Sequence, residues 1–354
     1  EEGQVYAVGA ITIKTIGANG RELPTEVWYP AKPGQQGTPA KYAAGLIPSP
    51  FGALRNVEAV AGKFPLIAFS HGNSGVRDQS VFLMEAFARR GYVVVSPDHV
   101  GNTAIDFDQK LFGVMFLWRP QDLVAAIARV LTKEKGDPAW LHGLIDGKNI
   151  GVSGHSFGGF TTLAIAGIPV DIPSNVTIDC GATEPDPMCA EMKILGPKPW
   201  QFAQGEIKVA IPLAHAFYAA GSLLHSHAPK LKVPTVMLVG TDDTLTPPAV
   251  EAEPLYQAMT AERAMITIHG GSHFSFANMC EFKAFAPANL KAEIDKLCGP
   301  NVKPPLNEVH AKIAEYAVAA ADLYLKGDES KRAMFAPKAK GSGYISVKSE
   351  GITK

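Results

Sequence analysis

Residues 149–163 read NIGVSGHSFGGFTTL, and this stretch decides the predicted fold. Its first six residues suit a buried strand and the residues from Phe157 onward suit a buried helix, with a sharp turn between them. Ser156 stands at the turn, between Gly154 and Gly158. Because glycine permits a close backbone approach at both positions, the serine hydroxyl is left open at the end of the strand. The stretch predicts a strand, turn and helix that present Ser156 as a nucleophile.

Strand and helix patterns alternate along the chain around this unit. A hairpin is predicted from the runs 4–16 and 22–30, because Asn19-Gly20 between them favours a tight turn. The alternation that follows implies βαβ units and a mostly parallel sheet with helices on both faces. The predicted strands cover 64–70, 92–97, 149–154, 207–214, 235–240 and 264–270, and the predicted helices cover about 78–90, 120–131, 157–166, 249–259, 283–297 and 306–326.

These predicted elements form a single domain, residues 1–335. The stretch from 168 to 206 is too long for an ordinary connection, so we interpret it as an insertion or a lid. The remaining tail, residues 336–354, reads APKAKGSGYISVKSEGITK. Since it is small, polar and basic, we expect it to be held loosely.

The composition excludes several classes of protein. Of the 354 residues, 46% are hydrophobic and 19% are charged, and the formal net charge is -1, which is typical of a soluble globular protein. No basic field favours nucleic acid or an anionic membrane surface as a partner. The longest apolar runs have the length of strands, so no transmembrane segment is predicted. We expect a monomer.

Four cysteines stand in two local pairs. They allow three pairings, or four free thiols in a reducing compartment. Because short loops close easily, we favour Cys180 with Cys189 and Cys280 with Cys298, as in an exported protein. The chain opens with EEGQVYAV, without Met or an apolar leader, which suits either a mature secreted or periplasmic form or a truncated chain. CxxC spacing is absent, which argues against a zinc site.

A serine hydroxyl needs a base, and the base needs an acid to orient it. LVGTDDTLTPP (238–248) places Asp242 and Asp243 after one predicted strand, and ITIHGGSHFSF (266–276) places His273 after the last. The chain order of serine, aspartate and histidine is the one found in α/β-hydrolases. These residues alone allow either aspartate to be the acid. The alternative for each aspartate is that it only caps a turn.

An oxyanion hole takes one backbone N–H from the residue after the nucleophile and one from the loop after the third strand. Phe157 follows Ser156, and Asn73 lies in SHGNSG (70–75), directly after the apolar run 64–70. We therefore predict Phe157 and Asn73 as the two donors. The alternative for the second loop is a plain glycine turn.

Five segments together carry a resemblance to a known family: RELPTEVWYP, FSHGNSG, WRPQDL, GHSFGG and ITIHGGSHFSF. Over roughly residues 5–280 they resemble the platelet-activating-factor acetylhydrolase and predicted dienelactone hydrolase branch of the α/β-hydrolases. The DDTLTP and GGSHF loops also resemble secreted bacterial lipases, cutinases and polyester hydrolases. The resemblance implies an α/β-hydrolase fold and a serine carboxylic ester hydrolase with no metal and no cofactor. It also favours Asp243 over Asp242, because the family places its acid directly before a segment like TLTP.

The chain departs from that branch in two places. Dienelactone hydrolases use a cysteine nucleophile, whereas this chain has Ser156. Mammalian acetylhydrolases carry their acid after the strand that follows the nucleophile, and IKVAIPLAHAF (207–217) has no aspartate there. The acid is therefore expected from the DDTLTP loop.

Four aromatic residues near the predicted loops of the carboxyl edge are candidate pocket residues: Phe51, Trp118, Phe217 and Phe274. An aromatic lining would suit an apolar acyl or aryl group, although the same residues also suit an ordinary core. The expected substrate is a small, lipid or polymeric ester. The alternatives are a phospholipase A2-like acetylhydrolase and a non-catalytic binding protein of the same fold, which would usually lack one of the three catalytic residues.

Overall fold

The structure is a computed structural model that describes residues 4–172, 177–202, 205–217, 225–285, 288–339 and 343–352. The strands of the described residues are β1 (Ala7–Ile16), β2 (Glu22–Ala31), β3 (Lys41–Tyr42), β4 (Ile47–Pro48), β5 (Leu54–Arg55), β6 (Phe64–Ser70), β7 (Val93–Pro97), β8 (Ile145–His155), β9 (Ile207–Leu213), β10 (Thr235–Gly240), β11 (Arg263–Ile268) and β12 (Ile345–Glu350). The α-helices are α1 (Val81–Arg89), α2 (Phe112–Leu131), α3 (Phe157–Ala166), α4 (Pro187–Leu195), α5 (Ala252–Ala258), α6 (Ala288–Leu297) and α7 (Leu306–Lys326).

One large sheet organises the fold. Its strands lie in the order β12-β11-β10-β9-β8-β6-β7-β2-β1-β5, while β3 and β4 pair separately. The six strands from β11 to β7 are parallel to one another. The predicted N-terminal hairpin is present, since β1 and β2 pair antiparallel from Ala7 opposite Ala31 to Ile16 opposite Glu22. The predicted fold class, an α/β-hydrolase fold with a mostly parallel sheet, is confirmed.

Helices cover both faces of the sheet. Apolar residues of α2, α3 and α5 pack on one face, and those of α1 and α7 pack on the other. All seven residues of β6, FPLIAFS, are buried, as expected for a strand that is covered on both sides. Because the parallel strands end at one edge, the loops after β6, β8, β10 and β11 gather there. This edge carries the candidate site.

The helix α2 begins upstream of the predicted start at Pro120. Proline suits the first position of a helix, but here it lies in the interior, where it costs about 3 kcal/mol. Burial of the preceding apolar residues, such as Val114 and Leu117, offsets that cost. Among the described residues, Gln109–Leu131 is the one helical stretch long and apolar enough to cross a membrane, and most of it is buried inside this domain.

The interval 168–206 contains the helix α4 and an antiparallel bridge between Val170 and Trp200. The favoured cysteine pairing is confirmed: Cys180 is bonded to Cys189 and Cys280 to Cys298, with Cα–Cα distances of 5.6 and 5.5 Å. Residues 173–176 and 203–204 of the interval lie outside the described residues. A lid role for this interval stays a prediction.

Part of the C-terminal tail is a strand, which corrects the expectation of a loosely held segment from 336 to 354. Along its whole length β12 pairs antiparallel with β11. Ile345 and Val347 are buried because their β-branched side chains alternate with polar ones and cover the edge of the sheet. The domain therefore extends past residue 335, while 340–342 and 353–354 lie outside the described residues.

This correction can be tested at adjacent positions of β12. Val347→Asp would bury a carboxylate without a partner, so we expect the free energy of unfolding to fall by about 2 kcal/mol or more. Lys348 is exposed, and its ion pair with Glu253 is open to solvent. Lys348→Thr should therefore lower the free energy of unfolding by less than about 1 kcal/mol. Urea denaturation measures both. Equal effects of the two substitutions would mean that the tail is not part of the packed sheet.

Candidate active site

The turn between β8 and α3 holds Ser156 in a conformation that is rare for a residue with a side chain. Its backbone angles are φ 58° and ψ -116°. A Cβ atom at Gly158 would lie 1.8 Å from the carbonyl oxygen of Ser70, and one at Gly154 would lie 2.3 Å from the carbonyl oxygen of Gly158. Only glycine fits at these two positions. The Ser156 side chain itself is partly exposed, as a nucleophile requires.

Asp243 and His273 form a buried pair beside this turn. His273 Nδ1 lies 2.8 Å from Asp243 Oδ2, and the two side chains are 5% and 1% exposed. Thr246 donates its backbone N–H to Asp243 Oδ1 (2.8 Å) and its hydroxyl to Asp243 Oδ2 (2.7 Å). Burial alone raises the pKa of Asp243, but the hydrogen bonds from His273 and Thr246 outweigh it and hold that pKa below its ordinary value. Asp243 is therefore ionised at neutral pH and orients the imidazole with Nδ1 as the donor.

The neighbouring aspartate has a different environment. Asp242 is exposed, and its Oδ1 accepts a hydrogen bond of 2.9 Å from the hydroxyl of Thr241. Of the two aspartates that the sequence left open, Asp243 is the one that the structure brings to His273. The loop after β10 thus has the geometry that the resemblance favoured.

A chain of hydrogen bonds joins the loop after β6 to the histidine loop. The Gly72 N–H donates to Gln79 Oε1 (3.1 Å), and Gln79 Nε2 donates to His155 Nδ1 (3.0 Å). His155 Nε2 then donates to the carbonyl oxygen of His273 (2.9 Å). Burial, reinforced by the neighbouring His273, lowers the pKa of His155 to about 3. Neutral His155 can therefore accept and donate at once, and it holds His273 next to the turn of Ser156.

The segments that carry the two predicted oxyanion donors both adjoin Ser156. Phe157 is the first residue of α3, so its N–H lies at the positive end of the helix. On the other side, a Cβ atom at Gly72 would lie 3.5 Å from Ser156 Cβ, and the next residue is the exposed Asn73. The side chain of Asn73 is tied back, since its Oδ1 accepts a 2.9 Å hydrogen bond from Asn102.

Aromatic rings surround the first turn of α3. Phe217 is half-buried, and its ring centroid lies 5.0 Å from that of Phe157 and 4.8 Å from that of Phe116. Phe112 is also half-buried and lies 5.8 Å from Phe157. Together these rings place an apolar wall beside the predicted oxyanion donor. The sequence analysis named Phe217 as a pocket residue but did not name Phe112 or Phe116. These two lie upstream of the predicted start of α2. Their i, i+4 spacing places them on one face of the longer helix that the structure shows.

The other three predicted pocket residues lie elsewhere. Phe274 is buried next to His273, with ring centroids 5.5 Å apart, and packs against α6. Trp118 points away from the aromatic wall: its Nε1 donates to Glu191 (2.7 Å). Phe51 lies under the guanidinium of Arg89, in a surface cavity of about 370 Å³ beside α1 and α7. The structure does not bring Trp118 or Phe51 to Ser156.

These parts define a class of chemistry. A partly exposed serine, an imidazole held by a carboxylate, and backbone N–H groups from two neighbouring segments can carry out acyl transfer through a covalent serine intermediate. Within the described residues, no three His, Cys, Asp or Glu side chains lie together as a metal site would require.

The chain is similar to known cutinases. The match covers 211 residues, 59% of this chain, at 24% identity to cutinase 1 of Thermobifida cellulosilytica, 25% to cutinase est1 of Thermobifida alba and 24% to the cutinase of Thermobifida fusca (strain YX). It spans 60%, 53% and 52% of those three proteins. No family model matches the chain. The cutinase part of the resemblance is thus supported, and the acetylhydrolase and dienelactone hydrolase part stays a prediction.

The close approach at the turn gives a direct test. In Gly158→Ala the new methyl group meets the backbone of Ser70, which cannot move without displacing β6. We expect the free energy of unfolding to fall by about 3 kcal/mol. Gly143→Ala is the matched control, since its nearest neighbour is 3.9 Å away. Thermal and urea unfolding of the two variants compare them, and a Gly158→Ala protein as stable as Gly143→Ala would contradict the described turn.

Proposed function

We propose that this protein is a serine carboxylic ester hydrolase with Ser156 as nucleophile, His273 as base and Asp243 as the orienting acid. The observation that carries the proposal is the buried Asp243–His273 pair, at 2.8 Å, beside a strained and partly exposed serine. Strain in the backbone concentrates at functional sites, and a carboxylate that fixes one imidazole nitrogen prepares the other to accept a proton. The similarity to cutinases supports the same chemistry.

The mechanism follows from these roles. His273 takes the proton of the Ser156 hydroxyl at Nε2, and the serine oxygen bonds to the ester carbonyl carbon. The backbone N–H groups of Asn73 and Phe157 stabilise the oxyanion. The intermediate then expels the alcohol, which receives the proton from His273. Water attacks the acyl-enzyme in the same way and releases the carboxylic acid.

An apolar acyl or aryl group is the proposed specificity. Half-buried Phe112 and Phe217 stand beside the oxyanion donor Phe157, where the acyl part of a bound ester would contact them. Polymeric esters belong to this class, in agreement with the cutinase similarity. In the acetylhydrolase alternative an acid would follow β9, but His215 stands in that loop and the paired acid follows β10. Two disulfides fit an exported protein, secreted or periplasmic.

Single substitutions test the catalytic roles. Ser156→Ala and His273→Ala should each lower kcat for p-nitrophenyl butyrate by about 10⁶, and Asp243→Asn by about 10⁴. Asp242→Asn is the matched control, because this carboxylate is exposed and does not touch His273; it should keep wild-type kcat. A fluorophosphonate should label the wild-type serine and not Ser156→Ala. Near-wild-type turnover by Ser156→Ala would contradict the proposal.

An ester panel tests the proposed specificity. Each buried methylene contributes about 0.8 kcal/mol, so p-nitrophenyl butyrate should exceed the acetate about tenfold in kcat/KM. Phe217→Ala should reduce that ratio, whereas Phe51→Ala, on the α1 side, should preserve it. The panel also includes an aromatic polyester and a short-chain phospholipid. Hydrolysis of the phospholipid without hydrolysis of the simple esters would favour the acetylhydrolase alternative instead.

A further inference from the structure

A buried cation lies behind the proposed oxyanion hole. Arg119 of α2 is fully buried, and none of the roles proposed above uses it. Its Nη2 donates to the carbonyl oxygen of His71 and, at 3.2 Å, to the hydroxyl of Ser70. Its Nη1 donates to Asn102 Oδ1 at 2.5 Å. All three acceptors are neutral oxygen atoms, one at the end of β6 and the other two in the loops that follow β6 and β7.

The nearby carboxylate serves other partners. Asp122 Oδ2 lies 3.0 Å from His99 Nδ1, and Asp122 Oδ1 accepts hydrogen bonds from Arg21 (2.7 Å) and from the backbone of Ala18 (3.0 Å). Ser70 donates in turn to His99 Nε2 at 2.9 Å. The positive charge of Arg119 therefore has no carboxylate in direct contact among the described residues.

A buried cation without a direct carboxylate partner lowers the stability of the folded protein. Removing a charged group from water is unfavourable, and hydrogen bonds to neutral oxygens compensate it less than a paired carboxylate would. Burial lowers the pKa of Arg119, to about 9, which still leaves the guanidinium charged at neutral pH. Its position thus calls for an explanation other than stability.

The contacts of Arg119 reach both proposed oxyanion donors. Through Asn102, whose Nδ2 donates to Asn73 Oδ1 at 2.9 Å, it is linked to the side chain of Asn73. Arg119 also donates to the carbonyl oxygen of His71, which lies in the same loop two residues before Asn73. Its guanidinium carbon also lies 4.5 Å from the centre of the Phe157 ring. One planar cation therefore contacts residues that support two N–H groups, one in the loop after β6 and the other at the start of α3.

We propose that Arg119 is a positioning residue that sets the two oxyanion donors, acting on Asn73 through Asn102 and on Phe157 by direct contact. The five donors of a guanidinium lie in one rigid plane, so it can fix two loops relative to each other in a way that a lysine cannot. Its positive charge, whose direct hydrogen-bond partners are all neutral, also favours the negative oxygen that forms in the transition state. This inference rests on the proposed ester hydrolysis.

The test compares variants of the support with a matched control, using p-nitrophenyl butyrate. Arg119→Lys keeps the charge but loses the planar contacts, and displacement of the donors should lower kcat by about 10² with KM changed less than threefold. Arg129→Lys makes the same substitution in the same helix, at a residue that pairs with Asp137, and should keep wild-type kcat. The rate of serine phosphonylation by a fluorophosphonate should fall in parallel with kcat, because that reaction also forms an oxyanion.

Asn102→Asp separates positioning from folding. The aspartate keeps an acceptor for Arg119 and adds an ion pair, so the melting temperature should stay equal or rise; it loses the N–H donor to Asn73 and neutralises the cation. We expect kcat to fall at least tenfold at unchanged KM. A purely structural role predicts the opposite, retained kcat in this well-folded variant. If Arg119→Lys does not fold, Asn102→Asp alone decides.

The failures of the two proposals are distinguishable. A wild-type protein without esterase activity, or an active Ser156→Ala, would overturn the proposed function and with it the role of Arg119. An active wild type with an inactive Ser156→Ala, combined with wild-type kcat in Asn102→Asp, would overturn the role of Arg119 alone. If these variants changed KM and the melting temperature in parallel while kcat stayed constant, the role of Arg119 alone would likewise be overturned.

Discussion

The contact between the first turn of α3 and the end of β6 determines the geometry of the whole candidate site. At Gly158 the two backbones approach so closely that a single methyl group would overlap the carbonyl of Ser70. This contact fixes the turn of Ser156 against the loop that carries Asn73. Because the loop continues directly from β6 and the turn from β8, the register of two neighbouring parallel strands sets the position of the proposed nucleophile relative to the proposed oxyanion donors.

The framework behind this contact is polar, although its side chains are buried. Burial lowers the pKa of His71, His99 and His155, so these three imidazoles are neutral and act as hydrogen-bonding connectors rather than as charges. A buried polar network rigidifies a structure only when its members are satisfied. Here the bonds run from the loop after β6 to those after β7 and β11. In the proposed mechanism, the proton is exchanged at the Asp243–His273 pair and not within this network.

The sequence predicted those features that depend on local pattern. The strand β6, the strand β10 and the helix α3 have the predicted bounds, because a continuous apolar run or a glycine-flanked turn specifies each of them within its own residues. The pairing of Asp243 with His273 was also within reach, since parallel strands deliver their following loops to one edge. The buried strand β12 was not, because a short polar tail becomes a strand only when an edge such as β11 is available for pairing.

The structure differs from the sequence prediction in the start of α2 and in the position of Trp118. Both differences have one physical cause, which is that α2 packs against three neighbours at once. Phe116 faces the first turn of α3, Trp118 faces Glu191 of α4, and Arg119 lies under the loop after β6. Residues two positions apart on a helix point in nearly opposite directions, so an aromatic type alone could not tell the pocket wall from the contact with α4. The interior Pro120 breaks a local rule of helix formation in the same turn. Natural proteins break such rules where function requires the element, and the three contacts of α2 supply that requirement.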